Sequence, residues 1–160
     1  MAANSPELSV VDSLAQLVAT SATWQAWMGS PGNAAAAYAR VYQFGIEAPF
    51  TRPLAMVAPT NKWRHLLMDA RWPRCELYLL FEDTVSAADA TNIQAAKQTF
   101  ANRSGNVIME MLDKSRDDGG HVLLQDIQPL TGPRRSPREE RATLGDYIEE
   151  AYRVIVGLDG

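Results

Sequence analysis

The chain has 160 residues, a net charge of −4, 46% apolar and 21% charged residues, which is enough for one domain with a proper core and too little for two. The acidic balance argues against a general nucleic-acid binder. A single cysteine excludes an internal disulfide, two histidines beside it make a cysteine-based zinc site implausible, and no apolar run approaches the roughly 20 residues that span a bilayer.

Ser5 and Pro6 read as the cap and first residue of an amphipathic helix carrying Val10, Val11, Leu14, Leu17 and Val18. A second helical turn presents Trp24, Trp27 and Met28; the two tryptophans read as an anchor of the first helix to a sheet, the alternative being a binding platform. Gly29-Ser30-Pro31-Gly32 breaks the pattern, and Asn33 caps a short helix from Ala34 to about Arg40. The N-terminus has no basic start followed by an apolar core, so no signal peptide is expected.

Between Val41 and Phe50 only Tyr42, Phe44 and Ile46 alternate. Leu54–Val57 lies between two prolines and reads as a short strand, and Trp63–Ala70 reads as a second strand or extended loop. Cys75–Glu82 is the clearest strand, with Cys75, Leu77, Leu79 and Phe81 on one face and Glu76, Tyr78, Leu80 and Glu82 on the other. The first face should meet a helix. Tyr78 and Leu80 are too apolar for free solvent, and call for a second layer or a neighbouring molecule.

Ser86–Arg116 reads as one unbroken helix, with Ser86 and Asp89 at its start and a stripe of Ile93, Ala96, Phe100, Val107, Ile108, Met111 and Leu112. Its other face (Asn92, Lys97, Asn102, Arg103, Asn106, Glu110, Asp113) belongs to water or a partner. Gly119-Gly120 should stop it. His121–Gln128 then reads as a strand ending at Pro129, and Thr131–Thr143 as a long surface loop rich in arginine. The tail, Ile148–Leu158, fits a strand interrupted by Glu150 or a helical stripe; its β-branched and aromatic residues favour the strand.

The expected architecture is α+β: a mostly antiparallel sheet of about four to five strands against one long helix, with an N-terminal helical segment. One domain is expected over 1–160, with helices over 5–40, sheet and long helix over 41–130, the arginine-rich loop over 131–143 and a C-terminal strand over 144–158.

No nucleotide-binding glycine loop, nucleophile elbow or metal-ligand spacing is present. His65 and His121 read as isolated histidines, Cys75 as a buried inert thiol, and Glu149-Glu150 as neighbours that point apart on a strand. The expectation is no enzyme and no cofactor. Two basic stretches remain: Lys62, Arg64, His65, Arg71 and Arg74 interleaved with Trp63 and Trp72, and the loop bearing Arg134, Arg135, Arg138 and Arg141. They read as a solvated hairpin and loop, as an inter-subunit contact, or as a nucleic-acid clamp. The net charge disfavours the clamp.

The order of these elements, together with Ser13-Leu14-Ala15-Gln16-Leu17-Val18, Trp24-Gln25-Ala26-Trp27 and Leu144-Gly145-Asp146-Tyr147, resembles the tail terminator (tail-completion) proteins of long-tailed bacteriophages and phage-like particles. The resemblance implies a homohexameric ring at the tail–neck junction of a virion, made in the host cytoplasm. Such a ring caps the tail tube, stops its polymerisation, and meets the neck or head-completion protein on its other side. DNA passes through the lumen without sequence-specific binding. No catalytic residue comes with the resemblance, and the two helical pieces before the first strand depart from the shortest members. Tyr78, Leu80 and the mixed charges of the arginine loop are the expected contact residues. The alternatives are a neck or head-closure connector and a small nucleic-acid-binding module.

Overall fold

In a computed structural model the chain is described over residues 6–60, 74–117, 123–135 and 146–157. The order is α1 (Pro6–Ala19), α2 (Ala22–Trp27), α3 (Ala34–Ala39), β1 (Val41–Gln43), β2 (Leu54–Pro59), β3 (Arg74–Thr84), α4 (Ala87–Thr91), α5 (Ile93–Asp117), β4 (Leu123–Arg135) and β5 (Tyr147–Gly157). The fold is α+β, as the sequence implies. Among the described residues five strands lie in the order β1-β2-β3-β5-β4, with β1 parallel to β2 and every other pair antiparallel.

Local chemistry explains most boundaries. Ser21 caps α2 by accepting from the Trp24 amide, and Asn33 caps α3 by accepting from the Ala36 amide. Gly29 and Gly32 take the positive φ values, 85° and 76°, that turn the chain between these helices.

The expected single long helix is two. Ser86 and Asp89 do form a capping box, but it belongs to the five-residue α4. Asn92 leaves the helical region (φ −144°, ψ 73°), and its Oδ1 accepts from the Ala95 amide at 3.2 Å to restart the chain as α5. Asparagine offers the backbone this alternative partner, so the apolar stripe continues while the backbone does not.

β4 also departs from expectation. It does not end at Pro129 but runs on to Arg135, so Thr131–Arg135 are strand rather than loop. Prolines 129 and 133 are accommodated because β4 is the outermost described strand and its pairing with β5 shifts register near both. Residues 41–50 yield only the three-residue β1. The tail is a strand, β5. The expected strand Trp63–Ala70, Ser5 and Gly119-Gly120 lie outside the described residues.

The core sits between the helices and one face of the sheet. Cys75, Leu77, Leu79 and Phe81 of β3 are all fully buried there, with Val107, Met111 and Phe100 of α5 and Val11, Leu14 and Val18 of α1. The two tryptophans do anchor the N-terminal helices. Trp24 and Trp27 meet edge to face at 5.3 Å, and Trp27 lies 5.7 Å from the Phe81 ring and 5.1 Å from that of Phe100. Their ring nitrogens are satisfied too, Trp24 donating to the Ala37 carbonyl at 3.1 Å and Trp27 to Asp83 at 2.7 Å.

Two residues assigned to the polar face of the long helix have partners within the chain. Glu110 accepts from the Ser21 hydroxyl at 2.9 Å and from the Thr23 amide, so it holds α2 by its N-terminus. Arg103 pairs with Asp83 at 3.7 Å and lies over the Trp27 ring.

Candidate assembly surface

The face of the sheet turned away from the helices carries the residues that the pleat leaves over: Leu54 and Met56 from β2, Glu76, Tyr78, Leu80 and Glu82 from β3, and Glu149, Ala151 and Arg153 from β5. The connection between the parallel strands β1 and β2 folds back over one end of this face. Arg52 is its anchor. Its Nε donates to Glu82 at 3.1 Å, with both side chains nearly sealed (8% and 2% exposed), and its guanidinium lies 4.0 Å from the centre of the Tyr147 ring and 5.1 Å from that of Phe50. Beneath this segment is an open cavity of about 480 Å³, with Ile46, Phe50, Met56, Leu80 and Glu149 among its lining residues.

Leu80 and Tyr78, paired in expectation, separate here. The cavity and its loop half-bury Leu80, so the chain itself supplies the second layer at that point. Tyr78 remains 40% exposed on β3, the middle strand of the five. Beyond it, Glu76 is buried and accepts from the Thr60 hydroxyl at 3.0 Å, with Arg153 3.8 Å away.

The arginine residues divide similarly. Arg134 and Arg135 stand on β4, and each has an acid opposite. Arg134 reaches Glu149 through Nε at 2.7 Å and Nη2 at 2.6 Å. Arg135 binds Asp146 through Nε at 3.0 Å and also through Nη2, and that carboxylate holds its guanidinium still more firmly protonated. Arg74 opens β3 with its backbone in register with Gly157. Lys62, Arg64, Arg71, Arg138 and Arg141 lie outside the described residues.

Two polar groupings escape a reading of the sequence. On the helix side, Glu150 is buried and accepts from the Ser104 hydroxyl at 2.9 Å and from the Tyr152 hydroxyl. Burial first, and the bond to Glu150 second, push the Tyr152 phenol well above its ordinary range. The interruption of the apolar alternation at Glu150 was the available signal. Glu149 and Glu150 therefore do point apart, one to each face. The second grouping ties α1 to α3 and β1. Asp12 accepts from the Tyr38 hydroxyl, from Gln43 at 3.1 Å and from Gln16 at 2.7 Å. The tyrosine bond holds the Asp12 carboxyl below the usual carboxylate range.

Exposed apolar side chains on other elements include Met109 on α5 (58%) and Leu130 on β4 (48%). Among the described residues no cluster of three or more metal-ligating side chains forms, and no helix is long and apolar enough to cross a membrane. Searches against family models and curated proteins find no match.

Proposed function

We propose that this chain is a structural ring subunit, a tail terminator that caps a tail tube and joins it to the neck of a phage or phage-like particle. One observation carries the reading. A 25-residue helix and the N-terminal helices cover one face of a five-stranded sheet, while the other face leaves an aromatic residue, Tyr78, 40% exposed on its central strand. A sheet face with an uncovered tyrosine at its middle is suited to a protein partner, because aromatic rings supply large contact area at low entropic cost.

The edge of β4, with Leu130 exposed, offers a second and different surface. Two unlike surfaces are what a head-to-tail ring requires. The nucleic-acid reading is weaker, because Arg134 and Arg135 are already paired with Glu149 and Asp146.

The test is the mass of the purified chain in solution, alone and with tube protein, followed by binding to the head-side connector. A ring-sized species that binds tube protein supports the terminator. Binding only to the connector makes it a neck or head-closure protein instead. A monomer that binds neither overturns both.

A further inference from the structure

The cavity under the 44–53 segment contains a carboxylate that the chain only half uses. Glu82 and Glu149 face each other in register across β3 and β5, an arrangement that repels unless both charges are compensated. Glu82 is compensated from inside, by Arg52. Glu149 is compensated from the rim by Arg134, whose side chain is 62% exposed, and both of its contacts end on Oε1. Glu149 is itself only 8% exposed and lines the cavity. Each carboxylate therefore has one guanidinium, but among the described contacts none falls on Oε2 of Glu149, which lines the cavity beside the apolar surfaces of Ile46, Phe50, Met56 and Leu80.

We propose that this cavity is a binding site for an organic cation, a guanidinium or ammonium on an apolar stem about as long as an arginine or lysine side chain. The head bonds Oε2 of Glu149, and the stem lies along Met56, Leu80 and Phe50. The protein already shows this mode of recognition once, a few ångströms away. Arg52 places its guanidinium against Tyr147 and Phe50 and its Nε on Glu82. A charge-assisted bond to a carboxylate only 8% exposed is stronger than one in water, and an apolar stem gains by leaving water.

The experiment titrates the full chain with butylguanidine, butylamine and butanol, which share one stem, and follows the methyl signals of Ile46, Met56 and Leu80 by NMR. Both cations should shift these signals, and butanol should bind at least about tenfold more weakly. Glu149→Gln should weaken the cations by a similar factor. Arg134→Ala, which removes the competing guanidinium from an exposed position, should tighten them severalfold and serves as the test even if Glu149→Gln does not fold. N-acetylarginine methylamide distinguishes the sources. Its binding assigns the site to a side chain of a partner protein, and its exclusion with butylguanidine bound assigns it to a free small cation. Butanol binding as well as the cations, no shift of the three methyl signals, or an Arg134→Ala protein that binds no tighter would each overturn the proposal.

Discussion

On the helix side of the sheet, Cys75, Leu77, Leu79 and Phe81 are sealed by α1, α2 and α5. On the outer side the alternate residues of the same strand are Glu76, Tyr78, Leu80 and Glu82, and closure there depends on ion pairs and one returning loop. The first surface is closed by apolar area, which is non-directional and additive over many contacts. The second is closed by a few specific pairs, Arg52 with Glu82 and Arg134 with Glu149, and they stop short of Tyr78. A strand with period two can therefore close a core on one side and leave the other less covered, and its two faces should respond differently to substitution.

The sharpest contrast is between near neighbours on β3. Phe81→Ala removes a fully buried ring in contact with Trp24, Trp27 and Tyr152, and should cost about 3–5 kcal/mol in urea unfolding. Tyr78→Ala, on the outer face, should change stability by less than about 0.5 kcal/mol. Equal costs would mean that the outer face is as closed as the inner one.

Next in size is the buried ion pair. Arg52→Met takes the guanidinium from Glu82 in a nearly sealed position, and should cost about 3 kcal/mol, because a buried carboxylate is left with less compensation. The double change Arg52→Met with Glu82→Leu should recover much of that loss. If the single variant unfolds like the wild type, the loop does not depend on this pair.

Glu110→Ala should be milder, about 1–2 kcal/mol, since it removes the acceptor at the N-terminus of α2 from a partly exposed site. The α2 amides should then exchange with solvent faster than those of α1. Unchanged exchange at Ala22–Trp27 would show that Ser21 alone holds the cap.

The smallest effect depends on pH. The Asp12 carboxyl is held below its ordinary value, chiefly by the Tyr38 hydroxyl. Its contribution is therefore fully present above the unfolded aspartate pKa of about 3.9 and is lost as pH falls through the lower folded value. Asp12→Asn should melt slightly below wild type at neutral pH, and the two curves should converge in acid. A gap that persists below that range would show that the charge is not what matters.

The helix-side face was legible in the sequence because burial writes its own period. Residues 75, 77, 79 and 81 alternate, and Phe100, Val107 and Met111 recur at helical spacing. The break at Asn92 was hidden because the apolar stripe passes through it in step. The length of β4 was hidden by Pro129 and Pro133, which mark a strand end in a central position and are tolerated on an edge. The outer face was legible only as a need for cover, since Tyr78 and Leu80 were too apolar for water. That the chain covers Leu80 with its own 44–53 segment depends on a loop folding back between two parallel strands, and periodicity carries no information about that. Arg52 gave no signal at all, being one arginine among fifteen basic residues until the fold places it on Glu82.

The uncovered outer face around Tyr78 is the proposed assembly surface. Native mass spectrometry of the wild type and of Tyr78→Arg, over a range of concentrations with and without tube protein, tests it directly once both have the same melting temperature. A ring-sized species is expected from the wild type and a monomer from the variant. A wild type that stays monomeric under every condition, or a variant that assembles as well as the wild type, would contradict it.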